Sequence, residues 1–167
     1  MKATKQFVKN HILGVDNEWE SYIENIFRLF NSNIISYQPK NLLDVGCGDG
    51  IRTLRLSDYF SIDRKNLYGL DYDQNLLDMC KLHFESSRIN LEIDRIPFED
   101  EMLDLVICNQ ALEHLKNYNN VIDHIIRVTK MGGYIVIGIP NLTHLINRIY
   151  SLFGRQPMCI DINSSHI

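Results

Sequence analysis

The sequence predicts an α/β domain built on a doubly wound, mostly parallel sheet with helices on both faces. Three observations carry that expectation. Short apolar strands alternate with amphipathic helical segments from about residue 42 onward, and a glycine-rich turn follows the first strand directly. The chain has 167 residues, of which 45% are hydrophobic and 23% charged, enough for one sizeable core and too few for two.

Residues 1–40 read as a helical arm ahead of the main domain, which is expected over residues 41–167. Within the arm, Trp19, Tyr22, Ile23, Ile26, Phe27 and Phe30 recur every three or four residues and so share one helix face. That face either packs on the core or serves as a lid over a site. Gln38-Pro39-Lys40-Asn41 breaks the period, and Leu42, Leu43 and Val45 form the first strand. Residues 51–59 read as a helix and 66–70 as a second strand. Asp73 is a suitable N-cap for a helix reaching Phe84, with Leu76, Leu77 and Cys80 on its apolar side. Residues 89–93 and 103–108 read as the third and fourth strands and 118–129 as a helix, ended by Met131-Gly132-Gly133. A fifth strand is expected over 134–139 and a last helix over 142–153.

Composition narrows the function. The net charge of −4, a pI near 5.8 and the absence of a Lys/Arg cluster speak against a nucleic-acid substrate. No apolar run approaches the roughly 20 residues that span a bilayer, and MKATKQFVKN lacks the apolar stretch of a secretory signal. No membrane insertion and a cytoplasmic location are therefore expected. Cys47, Cys80, Cys108 and Cys159 are widely separated, and the histidines show no metal-ligand spacing, so no metal site is expected.

The chemistry concentrates in Asp44-Val45-Gly46-Cys47-Gly48-Asp49-Gly50. In doubly wound sheets the ligand lies beyond the C-terminal ends of the strands, where this loop sits. Glycines at alternate positions let the backbone come close to a ligand. The dinucleotide fingerprint is G-x-G-x-x-G with a pyrophosphate at the helix start. Here the spacing is one residue shorter and Asp44 precedes it. A carboxylate would repel a pyrophosphate and attract the ammonium and sulfonium groups of S-adenosylmethionine. Asp71, ending the second strand, suits the two ribose hydroxyls, although NAD sites use the same device. Tyr72 could pack on adenine, and Glu92 is a further carboxylate for the adenine amino group.

Four segments in order, LLDVGCGDG, YGLDYD, IPFEDEMLDLVICNQALEHL and RVTKMGGYIVIGIPN, make the chain resemble the class I S-adenosylmethionine-dependent methyltransferases, a Rossmann-like family. The resemblance covers about residues 42–141. It implies that the loop of Asp44, Gly46, Cys47, Gly48 and Gly50 lines the methionine part, and that Asp71 and Tyr72 hold ribose and adenine. It also implies that Glu92 and Ile93 hold the adenine edge, the latter through its backbone. Asn109 and Gln110 would close over the sulfonium and face the substrate. Pro140-Asn141 and Arg148 hint at the MetW-like branch, which leaves open a non-catalytic cofactor-binding partner protein. The family sheet has seven strands against the five read here, so the C-terminal end looks shortened, and the resulting open sheet edge points to a homodimer. A small-molecule acceptor is expected. His114 is the candidate general base, with packing at a helix start as its other reading. An NAD-dependent oxidoreductase is the least favoured alternative.

Overall fold

A computed structural model describes Ile23, Glu24, Ile26, Phe27, Arg28, Phe30, residues 38–139 and Leu152. Trp19 and Tyr22 of the arm, and the expected helix over 142–153 apart from Leu152, lie outside the described residues. The elements are β1 (Leu42–Val45), α1 (Ile51–Phe60), β2 (Leu67–Asp71), α2 (Gln74–Cys80), β3 (Glu85–Arg88), β4 (Leu103–Asn109), α3 (Tyr118–Val128) and β5 (Thr129–Gly138). Single 3-10 turns occur at Arg64–Asn66 and Leu112–His114.

All pairings are parallel and the strand order is β3-β2-β1-β4-β5. The chain moves outward from β1 in one direction through β2 and β3, then returns to the other side of β1 with β4. The order therefore reverses between β1 and β4, and in such sheets ligands bind beyond the strands' C-terminal ends at that point.

The central strands are buried on both faces because their side chains alternate between two apolar layers. Leu42, Leu67, Leu105 and Ile107 join Leu56 and Phe60 of α1 and Leu77 and Cys80 of α2 in one layer. Leu43, Val45, Leu70, Val106 and Cys108 join Val121, Ile125 and Val128 of α3 in the other. Ile26 is buried in the first layer, with Phe27 and Phe30 packed on it; the Phe27 ring stacks on Tyr59 at 3.8 Å between centroids, and Phe30 meets Phe60 edge-on. These arm residues therefore sit by the C-terminal end of α1, away from the glycine loop at its start.

Three boundaries differ from the sequence expectation. The third strand is Glu85–Arg88 rather than 89–93; Ile89 is buried in the second layer just after it, and Glu92 and Ile93 fall in a turn. An edge strand needs only backbone partners, so its polar ESSR sequence pairs with β2 without an apolar signature. Helix α2 stops at Cys80, and Phe84 folds back into the first layer. β5 begins at Thr129 and runs through Gly132-Gly133, with a register irregularity opposite Leu103 and Leu105. At the same place the alternation of β4 is interrupted, because Leu103 and Leu105, two apart in sequence, lie in opposite layers.

Candidate cofactor site

The loop between β1 and α1 is shaped by left-handed backbone at Gly46, Gly48 and Gly50, with φ of 82°, 55° and 76°. A side chain at Gly46 would lie 2.8 Å from Ala111 Cβ, in the loop after β4. At Gly50 it would meet Cys80 Sγ and Phe84 Cζ at 2.8 Å. The glycines thus let the loop lie flat on α2 and on the segment following β4.

The loop's own N–H groups are largely used inside the protein. Gly46 and Cys47 both donate to the Leu70 carbonyl, at 2.7 and 3.1 Å, and Gly50 donates to the Cys47 carbonyl at 3.0 Å. Gly48 donates to Asp71 Oδ2 at 2.7 Å, and Ile51 to Asp49 Oδ1 at 3.1 Å. A pyrophosphate cradle requires free N–H groups at this place. Those of Gly46, Cys47, Gly48, Gly50 and Ile51 are already engaged here.

Negative charge gathers below the loop instead. Asp44 is buried and accepts a 2.6 Å hydrogen bond from the Thr53 hydroxyl. Burial pushes its carboxyl up to about 6; the Thr53 hydrogen bond and the Arg52 charge oppose that rise, and Asp71 adds to it. Asp71 spends one lone pair of each oxygen on the N–H groups of Gly48 and Asp73, the second at 2.9 Å. Its remaining lone pairs can accept from hydroxyl groups.

The other expected residues divide. Tyr72 follows Asp71 directly and is 53% exposed. Asn109 ends β4, and its Nδ2 is buried with no acceptor in reach among the described residues. Gln110 has a left-handed backbone, φ 52°, and its N–H donates to the Gly138 carbonyl at 2.9 Å, tying the ends of β4 and β5 together. Such a conformation in a non-glycine residue is costly and collects at functional sites. His114 is exposed at the end of the 3-10 turn that follows. Ile93 is exposed in the turn after β3. Glu92 is engaged elsewhere: its carboxylate accepts from the N–H groups of Lys116 and Asn117, at 2.5 and 3.2 Å, and so bridges the loops after β3 and β4.

Cys47, Cys80 and Cys108 are free and buried. Burial raises all three thiols, that of Cys108 to about 12 with the Asp44 and Glu113 charges adding to it. They are protonated packing groups. Gly69 in β2 was not singled out by the sequence pattern, yet a side chain there would meet Cys47 Sγ and Phe84 at 2.8 Å. Arg88 was also missed, and it reaches Tyr72 from β3. Its place follows from strand register, which no local motif encodes. Among the described residues no cluster of ligating side chains could hold a metal ion, and no helix is long and apolar enough to cross a membrane.

The donor set fits a cofactor that is cationic at one end and a nucleoside at the other. Carboxylates lie at Asp44 and Asp71, most of the loop amides are already engaged, and the buried Asn109 amide has no acceptor among the described residues. Comparisons with known proteins agree. Residues 43–137 match the family described as the methyltransferase domain. A ubiquinone biosynthesis O-methyltransferase of Dechloromonas aromatica is 32% identical over 113 residues, covering 64% of this chain and 47% of that protein. One of Coxiella burnetii is 28% identical over 104 residues, covering 59% and 43%. The chain thus spans under half the length of these curated relatives. Among solved structures, a protein from Pyrococcus horikoshii superposes with a TM-score of 0.63 at 22% identity, covering 81% of this chain and 65% of that one. A SAM-dependent methyltransferase from Archaeoglobus fulgidus gives 0.58 at 24% identity, covering 78% and 59%. With more than half its length matched and the fold shared, this chain belongs to the methyltransferase-domain family, and S-adenosylmethionine is its cofactor.

Proposed function

We propose that the chain binds S-adenosylmethionine across the ends of β1, β2 and β4 and directs methyl transfer to a small-molecule acceptor. The engaged amides of Gly46, Cys47, Gly48 and Gly50 carry this reading, because they leave little for a pyrophosphate and two carboxylates to meet positive charge and hydroxyl groups. Asp44 supplies the negative field under the methionine end, and Asp71 accepts from the ribose hydroxyls with the lone pairs it has spare. Tyr72 lies against adenine, and Ile93 offers its edge and backbone nearby. Glu92 braces the segment that carries His114 rather than touching the base directly. Asn109 donates its buried amide to a ligand oxygen, and Gln110 lines the path to the acceptor.

When bound, the cofactor supplies an electrophilic methyl group on a sulfonium centre. The protein's part is to hold the acceptor in line at about 3 to 3.5 Å and to keep water away. The O-methyltransferase names of the relatives favour an oxygen acceptor. Such an acceptor is helped by a base that takes its proton, and the exposed His114 imidazole at the same end of the sheet suits that role. The same names support an enzyme over a non-catalytic binding partner.

Calorimetry with S-adenosylmethionine, S-adenosylhomocysteine and NAD tests the cofactor reading. Both adenosyl ligands are expected to bind and NAD to bind far more weakly; tighter NAD binding would overturn it. Asp71→Ala should weaken the adenosyl ligands by about 1.5 to 3 kcal/mol, the range for hydrogen bonds to a charged group. A melt of the unliganded variant separates lost ligand contacts from damage to the loop.

A further inference from the structure

The geometry points to Arg88 as a positioning residue that holds Tyr72 in place as a preformed platform for the adenine ring, an inference that rests on the cofactor reading above. β3 pairs with β2 so that Arg88 stands opposite Asp71, the residue placed at the ribose. From there its side chain makes two contacts with the next residue along. Arg88 Nε donates to the Tyr72 carbonyl at 3.0 Å, and the guanidinium carbon lies 4.8 Å from the centre of the Tyr72 ring. One planar group therefore fixes both the backbone and the ring of a single tyrosine.

The arrangement has a physical consequence for binding. Tyr72 is 53% exposed, and an exposed ring on its own would sample several rotamers and lose that freedom when a base stacks on it. Arg88 removes the freedom before the ligand arrives. The backbone is held on both sides as well, because Asp71 accepts from Asp73 N–H and Asp73 in turn accepts from Asn75 N–H. An arginine near a ribose can alternatively receive a 2′-phosphate. Here Asp71 occupies the register position beside it and would repel that phosphate.

The test is a set of dissociation constants for S-adenosylhomocysteine measured on the full chain. Arg88→Ala should weaken binding about fivefold, the size of a cation–π contact at a partly exposed site. Arg88→Lys, which keeps the charge and loses the planar fork, should recover part of that loss. Tyr72→Ala should weaken binding about tenfold through lost stacking. Arg88→Ala added to Tyr72→Ala should then cost little more, because with the ring gone the bond from Arg88 to the residue 72 carbonyl has no platform left to orient. Melting temperatures of the unliganded variants show whether each one folds. Wild-type affinity in Arg88→Ala, or an equal loss in the Tyr72→Ala background, overturns the platform while leaving the cofactor reading intact. NADPH binding that depends on Arg88 overturns it in favour of phosphate recognition. Failure of the wild-type chain to bind S-adenosylhomocysteine overturns the cofactor reading itself.

Discussion

Asp44 shows how one residue ties stability to ligand binding. Its carboxyl is raised from 3.8 to about 6 in the folded chain, chiefly by burial. The native state therefore holds an extra proton between those values, and stability falls as pH rises through that window. Above about 6 the full cost of the buried charge is present, on the order of 3 kcal/mol from the size of the shift. A cationic ligand beside the charge offsets that cost. Affinity for the sulfonium-bearing S-adenosylmethionine should accordingly rise as pH is raised through about 6, with proton release on binding near pH 5. Asp44→Asn should flatten both profiles in calorimetry. An unchanged profile in that variant would remove Asp44 as the titrating group. The places of Asp44 and Asp71 were legible in the sequence because each lies in the last two residues of its own apolar strand. Arg88 and Gly69 were not, because their roles arise only once β2 lies between β1 and β3.

The elements depend on two kinds of glycine, and the difference can be measured. Gly50 and Gly132 both have left-handed backbone, with φ of 76° and 80°. A side chain at Gly50 strikes Cys80 and Phe84, whereas at Gly132 nothing lies within 4 Å. Gly132→Ala should cost only the conformational term, about 1 to 2 kcal/mol. Gly50→Ala should cost that and a further 1 to 3 kcal/mol, roughly, for forcing atoms into a filled space. Denaturant unfolding of the two variants gives the comparison, and equal losses would show that the contact of the loop with α2 carries no energy. The same distinction explains which elements could be read in advance. β1, β4 and α3 carry apolar patterns dictated by burial, and their observed positions lie within a residue of expectation. β3 was displaced because backbone pairing, rather than its polar side chains, places it. β5 begins earlier than its apolar run because an irregular register admits the Gly132-Gly133 pair into the strand.

Across the whole molecule, the two ends of the sheet are secured differently. At the start of the strands Asp104 of β4 is buried; it accepts from the N–H groups of Lys40 and Asn41, ahead of β1, and from Lys130 Nζ of β5 at 2.8 Å. Asn41 answers by accepting from Asp104 N–H at 2.6 Å. This network ties the strands on both sides of the reversal point and leaves the opposite end to the ligand. At that opposite end the glycine loop is stapled to β2 by bonds from Gly46, Cys47 and Gly48. The consequence is kinetic as well as chemical. Amide hydrogens already closed within the fold exchange with solvent only through opening events. Deuterium uptake at Gly46, Cys47, Gly48 and Gly50 should therefore be slow in the unliganded chain and change little when S-adenosylhomocysteine is added. Rapid uptake that becomes slow with ligand would mean that the loop is assembled by its cofactor rather than waiting for it.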